Sequence, residues 1–270
     1  MQDIQIDNIE LLQFDSLRQE TLNHFSTTVH GGVSEGAYNS FNLSFYSGDK
    51  FENVLTNRMR LAEAMNVPIQ KLFIPYQTHE DKILKIDETF LALSNEEQIR
   101  RLNGIDAIIT DQKDVCIGVT TADCVPVIIF DPVKKVLAAV HAGWKGTALR
   151  IGAKTAKQMI SDFGCNPENL LVGIAPSISP EIFEVGDEVG KTFEKAGFNL
   201  STISFRNSKS GKLHIDLWKA NKLPLMDVDI LEENIEITGI CTFSNPDKFF
   251  TTSRQTIHSG RMVTGGMINK

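Results

Sequence analysis

Two short apolar runs in the middle of the chain constrain the fold more than any other feature of the sequence. Residues 125–130 are VPVIIF and residues 136–140 are VLAAV, with the polar segment DPVKK between them. Both runs contain valine or isoleucine and are too short for a helix, which indicates strands. The connection is too short for a parallel crossover, so the two strands are predicted to form an antiparallel hairpin.

Two reactive side chains flank this hairpin: Cys124 precedes the first strand and His141 follows the second. A turn centred on Pro132 and Val133 would place Cys124 directly opposite His141, with their Cβ atoms about 4.5–5.5 Å apart on one face. A metal ion could bridge that distance, because Zn–S and Zn–N bonds are about 2.3 and 2.0–2.1 Å long. A thiolate–imidazole pair would fit equally well. A one-residue slip of this register would turn the two side chains to opposite faces.

The rest of the chain alternates groups of strands with helices. Helices are predicted at residues 53–65, 147–163, 187–196 and 218–226. Further strands are predicted at residues 71–74, 83–86, 105–110, 115–121, 170–175, 214–217 and 235–241. Because no repeat or linker divides the chain, we predict a single α+β domain over residues 1–270 with a mixed or antiparallel sheet. The G-x-G-x-x-G and G-x-x-x-x-G-K-[ST] patterns of nucleotide-binding α/β folds are absent.

Composition and charge narrow the range of partners. A net charge of −7 over 270 residues argues against non-specific binding of nucleic acid. The first residues are acidic and contain no apolar run, which argues against a secretory signal. No run approaches the roughly 18 apolar residues of a membrane span. The four cysteines include no C-x-x-C pair, so we expect a reduced, cytoplasmic protein without a membrane partner.

A third ligand would complete a metal site with Cys124 and His141. His79 is the favoured candidate, because it lies in the polar segment QTHE after a predicted strand. The other histidines are rivals for this role: His24, His30, His214 and His258. Three nitrogen and sulfur ligands with an open fourth position are typical of catalytic zinc sites, although an isolated Cys–His pair is more often structural.

The segment after His141 has the character of an anion site. Gly143 and Gly146 allow close approach of the backbone, and Lys145 adds a positive charge. A helix beginning at Thr147 would offer free N–H groups and the positive end of its dipole.

Three arginines elsewhere could contribute to the same anion site. Arg254 and Arg261 lie on either side of a Ser-Gly pair and could grip a phosphate. Arg58 lies on the apolar side of the helix predicted at residues 53–65, where an arginine extending its charge to water is the commoner explanation.

The motifs around these residues resemble a known family. The sequences ADCVP at residues 122–126 and HAGWKG at residues 141–146, with QTH at residues 77–79, are similar to the bacterial laccase-domain or polyphenol oxidase family. Weaker matches follow in family order along nearly the whole chain: GGVS at 31–34, FNL at 41–43, GD at 48–49, NR at 57–58, FEVG at 183–186, FF at 249–250 and SGR at 259–261. Members of this family are regarded as zinc-dependent purine nucleoside phosphorylases.

The resemblance implies a metal held by His79, Cys124 and His141, which would also be the catalytic residues, with zinc favoured over copper. It implies a sandwich of mixed sheets with helices packed outside. The implied reactions are phosphorolysis of adenosine, inosine, guanosine or methylthioadenosine, together with hydrolytic deamination of adenosine. A nucleoside and phosphate are then the expected partners, and a monomer or weak homo-oligomer the expected assembly. Substrate or phosphate contacts are expected from Asn42, Arg58, Lys145, Gly146, Arg254 and Arg261.

The chain departs from the family pattern at three cationic positions. Lys145 and Val29 stand where the family usually has arginine, and Arg254 stands alone where it usually has a pair. Three other functions remain open: a copper-dependent polyphenol oxidase, a metal-free Cys/His hydrolase acting on cell-wall precursors, and a binding module without activity. The six histidines include no His-x-His pair, which weakens the oxidase alternative.

Overall fold

The computed structural model of the chain describes residues 1–255 and 257–269. Its strands are β1 (Gln2–Ile6), β2 (Ile9–Gln13), β3 (Leu22–Thr27), β4 (Leu72–Phe73), β5 (Ile83–Ile86), β6 (Ala107–Thr110), β7 (Cys116–Thr121), β8 (Val125–Asp131), β9 (Val136–Ala142), β10 (Leu171–Ile174), β11 (Glu184–Val185), β12 (Ser204–Arg206), β13 (Leu213–Ile215), β14 (Ile235–Ile237) and β15 (Met262–Ile268). Its helices are α1 (Phe51–Ala64), α2 (Glu88–Leu91), α3 (Asn95–Arg101), α4 (Trp144–Ala148), α5 (Ile151–Phe163), α6 (Asp187–Lys195), α7 (Leu200–Ile203), α8 (Leu217–Met226) and α9 (Thr252–Gln255). None of the helices within these two ranges combines the length and apolar character needed to cross a bilayer.

Two six-stranded sheets form the centre of the molecule. The first has the strand order β1-β2-β3-β15-β7-β4, and the second has the order β14-β10-β8-β9-β6-β5. Most neighbours are antiparallel, but β4 pairs in parallel with β7, β5 with β6, and β10 with β14. Strands β11, β13 and β12 form a smaller third sheet. The prediction of an α+β fold with mixed sheets is confirmed.

The two large sheets pack face to face, and helices cover their outer faces. Ile128 and Phe130 of β8 belong to the core between the sheets, together with Ile117 of β7. The alternate residues Val127 and Ile129 pack on the other side, in a core shared with α5 and α8. Helix α1 covers the outer face of the first sheet. Because β8 is buried on both faces, its sequence is a continuous apolar run, and each such side chain contributes about 1.5–3 kcal/mol on burial.

The central hairpin forms between β8 and β9, but the predicted register was wrong by two residues. Pro126 lies opposite His141, whereas Cys124 comes just before β8 begins. Side-chain direction along a strand repeats every two residues, so this even shift keeps the direction predicted for His141. His141 therefore follows Leu137 and Ala139 on the face turned towards the first sheet.

The turn of the hairpin explains the error in register. Asp131 and Val136 are already paired, which leaves a four-residue loop over 132–135. The Asp131 carboxylate accepts hydrogen bonds from the N–H groups of Val133 and Lys134, and Lys135 closes the loop with a left-handed φ of 55°. This arrangement centres the turn between Val133 and Lys134, one residue later than predicted. When the turn centre moves by one residue, the partner of each residue on the opposite strand changes by two positions.

His24 is a buried histidine in β3, away from the hairpin. Its imidazole is 1% exposed, and its Nε2 accepts a hydrogen bond of 2.9 Å from the N–H of Phe14. Burial lowers the pKa of His24 to about 4, although the contact with Phe14 opposes this. The ring is therefore neutral at neutral pH and serves the packing of the first sheet.

Replacing His24 with glutamine is expected to remove part of the acid sensitivity of the fold. The pKa of His24 is about 4 when folded and near its ordinary 6.5 when unfolded. The unfolded chain then binds more protons between these values, so the free energy of unfolding falls as the pH drops through this window, by up to about 3 kcal/mol. Urea denaturation of both proteins at neutral pH and near pH 4.5 measures the difference. Identical losses in wild type and His24→Gln would contradict the assignment.

Candidate metal centre

Three side chains from separate parts of the sequence converge at one end of the hairpin. His79 lies in the loop after β4, Cys124 directly precedes β8, and His141 is the second-last residue of β9. One nitrogen or sulfur atom from each lies within 4.8 Å of the others. The two imidazole rings meet edge to face, with centroids 4.7 Å apart. Within the described ranges this is the one cluster of three or more such groups able to hold a metal ion.

The chemistry of these donors fits a transition-metal ion. Imidazole nitrogen and thiolate sulfur suit zinc, copper and related ions, whereas magnesium and calcium prefer oxygen ligands. His141 is buried, Cys124 is half-buried and His79 is exposed, so the group has a protected side and an open side. An open side leaves a coordination position for a substrate or water, as in catalytic zinc sites.

Gly143 occupies the point where the three side chains meet. A Cβ atom there would lie 3.0 Å from Cδ2 of His79, 3.2 Å from Sγ of Cys124 and 3.7 Å from Cε1 of His141. The backbone at Gly143 has φ −63° and ψ 170°, which any residue can adopt. The reason for glycine is therefore spatial: a Cβ would press on the His79 ring and the Cys124 sulfur, which would have to move by a few tenths of an ångström.

Two buried carboxylates hold the loops that carry the three side chains. Asp106, just before β6, accepts a hydrogen bond of 2.8 Å from Nδ1 of His141 and others from the backbone of the His79 loop. Asp123 accepts hydrogen bonds from Thr252 and from Ser253 of α9. The chain bends at Asp123, where φ is 78°, and its carboxylate binds Thr242 and the start of α9. Asp106 was not singled out from the sequence.

The Cys124 thiol and the His141 imidazole form a charged pair. Burial by itself raises the pKa of Cys124, but the two adjacent imidazoles outweigh burial and lower the pKa to about 6. Burial likewise lowers the pKa of His141, and here Cys124 and Asp106 outweigh it and raise the pKa to about 9. The thiolate required of a metal ligand or nucleophile is thus already favoured at neutral pH.

A cavity of about 550 Å³ opens in front of the three side chains. This volume suits a small-molecule ligand. Its walls also include two tyrosines, four threonines and one arginine: Tyr46, Tyr76, Thr78, Thr120, Thr121, Thr252 and Arg261. The two tyrosines were not predicted, because the spacing of the sequence gives no sign that their rings meet at 4.2 Å.

Arg261 is the one predicted phosphate-binding residue among the residues that line this cavity. Its guanidinium Nη1 donates to the carbonyl groups of Ser259 and Gly260. Asn42, also predicted at the site, lies behind it and accepts a hydrogen bond of 3.0 Å from the N–H of Arg261. Asn42 therefore positions the arginine backbone and does not itself line the cavity.

The other predicted substrate residues lie outside the cavity walls. Arg58 lines a neighbouring apolar groove, where its Nε donates to the carbonyl of Leu43. Arg254 donates to the carbonyl of Phe243 and lies over its ring. Lys145 is exposed above a tryptophan ring.

Gly146 lies within α4, and the helical structure in this region differs from the helix predicted from the sequence. A Cβ at Gly146 would lie 3.1 Å from the carbonyl oxygen of Glu80, so this glycine lets α4 pack on the His79 loop. The single helix predicted from Thr147 is wrong: a short helix and a longer one are separated at Arg150, where φ is 59°. The N–H of Thr147 donates to the carbonyl of Gly143, so the free anion-binding N–H group expected there is absent.

The four rival histidines do not join the cluster. His24 is buried in β3, as described above. His214 lies in the small third sheet, where its Nδ1 contacts the carbonyl of Pro180. His30 approaches Glu10. His79 is thus the histidine that the fold brings to Cys124 and His141.

The chain is similar to known proteins in both sequence and fold. Residues 23–269 match the family described as multi-copper polyphenol oxidoreductase laccase. A purine nucleoside phosphorylase of Bacteroides thetaiotaomicron is 42% identical over 261 residues, covering 96% of this chain and 97% of the relative. Adenosine deaminase RL5, from an unknown prokaryote, is 39% identical over 258 residues, covering 95% and 98%. The crystal structure of YlmD from Geobacillus stearothermophilus superposes with a TM-score of 0.90 at 26% identity, covering 99% and 98% of the two chains.

Gly143→Ala is expected to weaken the affinity of this cluster for a divalent metal ion by about 10-fold or more, because the new methyl group would displace two of the three side chains from their positions. Competition of Zn²⁺ between the protein and a chromophoric chelator measures the affinity.

Gly152→Ala is the matched control for this change. Gly152 lies in α5, and a Cβ there would meet a leucine side chain at an ordinary 3.8 Å. The metal affinity of Gly152→Ala should equal that of the wild type. Equal affinities in all three proteins would contradict the proposed convergence of ligands on Gly143.

Proposed function

This chain belongs to the family described as multi-copper polyphenol oxidoreductase laccase, and from its site and its relatives we propose that it is a zinc-dependent purine nucleoside phosphorylase. Residues 1–270 act in this proposal as one catalytic domain. The observation that carries the proposal is the convergence of His79, Cys124 and His141 on the wall of a cavity of about 550 Å³. The relative at 42% identity and YlmD of Bacillus subtilis, at 33% identity, both bear the name purine nucleoside phosphorylase.

Zinc is the proposed metal, and these three side chains are its proposed ligands. Two nitrogens and one sulfur with an open fourth position match the donor set of catalytic zinc, and copper is the less favoured ion. A bound zinc ion would supply Lewis-acid polarisation of a substrate oxygen. The protein's own contribution is to hold the ligands ready, with Cys124 favoured as a thiolate.

Phosphorolysis requires phosphate and nucleoside to lie in line within the cavity. A phosphate oxygen forms a bond to C1′ of the ribose, the C1′–N bond to the base breaks, and the base leaves with the electron pair and gains a proton. Catalysis of this kind depends on positioning and on charge stabilisation. Arg261 supplies a fixed positive charge on the cavity wall for the phosphate. Thr78 and Thr120 line the same cavity and are the proposed contacts of the ribose hydroxyls.

The base is proposed to lie against the aromatic pair Tyr46 and Tyr76. Both rings line the cavity, and both are exposed, so they offer stacking surface without further rearrangement. Of the predicted cationic phosphate ligands, we therefore keep only Arg261, because the cavity walls do not include Arg58, Lys145 or Arg254.

Deamination of adenosine is a second candidate reaction at the same site. The specific support is that the relative at 39% identity is named adenosine deaminase RL5. Release of ammonia from adenosine without any need for phosphate would identify this reaction. The two activities are separable because one consumes phosphate and the other consumes water.

The remaining alternatives receive less support. A polyphenol oxidase of the multi-copper type would need several histidine clusters, and the described ranges contain the single cluster of three. A metal-free hydrolase would use the Cys124 thiolate as a nucleophile and would keep its activity in the presence of a strong chelator. We also propose a cytoplasmic location, since all four cysteines are free thiols.

The purified zinc-loaded protein is expected to release ribose 1-phosphate from adenosine or inosine only when phosphate is present. Cys124→Ala should lower this rate by about 100-fold or more, because it removes a ligand of the catalytic metal. Cys165→Ala is the matched control, since Cys165 is a buried cysteine that packs in the helix-covered core. Full turnover by Cys124→Ala would exclude the proposed site, and failure of the wild type to form ribose 1-phosphate in the presence of phosphate would exclude phosphorolysis.

Arg261→Gln is expected to raise KM for phosphate by about 10-fold or more, because one charge-assisted contact is worth about 1.5–3 kcal/mol. Arg261→Lys keeps the charge without the planar guanidinium and should recover part of the loss. Arg254→Gln is the control, because Arg254 lies outside the cavity walls. Initial rates at varied phosphate concentration measure the effect. If Arg254→Gln raised KM as much as Arg261→Gln, the choice between the two arginines would be wrong.

A further inference from the structure

The most unusual buried group near the cluster is the carboxylate of Asp106. It is fully buried, and within the described ranges its charged partner is His141 and no lysine or arginine. A buried carboxylate is costly unless several hydrogen bonds satisfy its oxygens. Four N–H groups donate to this one, and all of them belong to two short segments that carry proposed metal ligands.

Three of these donors are consecutive backbone N–H groups in the loop around His79. Oδ2 of Asp106 accepts from Thr78 at 3.3 Å and from Glu80 at 2.9 Å, and Oδ1 accepts from His79 at 3.0 Å. Successive N–H groups that point at one anion form a nest, a geometry that includes a left-handed residue. His79 is that residue, with φ of 62°. A left-handed conformation costs a non-glycine residue about 1–3 kcal/mol, so it persists only where the surroundings impose it.

The fourth donor is the imidazole of His141. Its Nδ1 lies 2.8 Å from Oδ1 of Asp106, and its backbone N–H donates to the Asp106 carbonyl at 2.7 Å. With Nδ1 engaged, the ring presents Nε2 to the cluster, as is usual for a histidine whose second nitrogen binds a metal. One carboxylate oxygen therefore contacts both His79 and His141.

We infer that Asp106 is the positioning residue of the metal site: it sets the backbone of His79 and the ring of His141 in the arrangement that accepts the metal before the metal arrives. This inference rests on the metal site proposed above. Asp106 is too deeply engaged with these two segments to touch a substrate, so its action is through the ligands. Cys124 is held separately, because the neighbouring Asp123 binds α9.

A carboxylate is required here, and an amide of the same shape cannot replace it. An asparagine side chain at this position would offer one acceptor oxygen and an NH₂ group, and that NH₂ would face either backbone N–H groups or the His141 ring. At least two of the four donors would lose their acceptor, and an unpaired buried donor is unfavourable. The loop around His79 would then relax from its left-handed conformation, and the distance between the two imidazoles would no longer be fixed.

The test compares Asp106→Asn with a matched control, Asp131→Asn. Asp131 is equally buried and also holds a loop through two backbone N–H groups, but it lies at the opposite end of the hairpin. Zn²⁺ affinity is measured by chelator competition in full-length proteins whose circular dichroism confirms folding. We expect Asp106→Asn to bind Zn²⁺ about 10–100-fold more weakly than wild type, and Asp131→Asn to bind it as wild type does.

A spectroscopic measurement separates positioning from a general loss of stability. Co²⁺ bound to the wild type should give the intense visible bands of a four-coordinate site with a thiolate ligand. In Asp106→Asn these bands should weaken or shift at saturating Co²⁺, whereas Asp131→Asn should give the wild-type spectrum. Excess Zn²⁺ should also restore part of the phosphorolytic rate of Asp106→Asn.

Two outcomes would overturn these conclusions in different ways. If the wild type binds neither Zn²⁺ nor Co²⁺, the proposed metal site itself is wrong. If the wild type binds both and Asp106→Asn gives the same affinity and the same spectrum, the site stands and Asp106 is merely structural. Should Asp106→Asn fail to fold, Asp106→Glu provides the measurement: it keeps the charge but moves the oxygens by one methylene, and unchanged affinity would refute the inference.

Discussion

The antiparallel pairing of β8 with β9 is the interaction on which the rest of the structure depends. Both strands are buried on two faces, one against the first sheet and one against α5 and α8, so their register fixes both cores at once. A slip of one residue would exchange the two faces. The same pairing carries His141 to the end of β9 and starts β8 immediately after Cys124. The candidate metal centre is therefore located by the strongest element of the fold, even though two of its side chains lie in loops.

How much of the fold could be predicted from the sequence depends on whether a feature is determined by neighbouring residues or by contacts with distant ones. The strands β8, β9 and β5 follow from apolar runs, and α1 from its apolar periodicity. The register followed from the turn, and there the prediction failed, because the Asp131 side chain captures two N–H groups and shifts the turn centre. The break at Arg150 was missed because the apolar spacing continues through it, while the backbone turns left-handed at that residue.

The same distinction between local and distant causes applies to the residues of the candidate metal centre. Cys124, His79 and His141 were candidates because scarce residue types stood near a strand end and in a polar loop, and the resemblance selected His79 from its rivals. Charge alone pointed to Lys145 and Arg254, but charge says nothing about which way a side chain is directed. The supporting residues Asp106 and Asp123 act only through hydrogen bonds to segments distant in sequence, and a single sequence carries no such pairing. The one available sign was an aspartate directly before the apolar strand β6.

The two buried carboxylates also suggest how one framework could serve different reactions. His79 and Asp123 both have left-handed conformations, and the hydrogen bonds that fix them run to Asp106, Thr242 and α9. The ligand geometry is thus decoupled from the residues that would face a substrate, such as Tyr46, Tyr76 and Arg261. Two relatives that are 42% and 39% identical to this chain are named purine nucleoside phosphorylase and adenosine deaminase, respectively. If the same three side chains serve both reactions, the choice between phosphate and water as nucleophile depends on wall residues such as Tyr46, Tyr76 and Arg261, which make no hydrogen bond to Asp106 or Asp123.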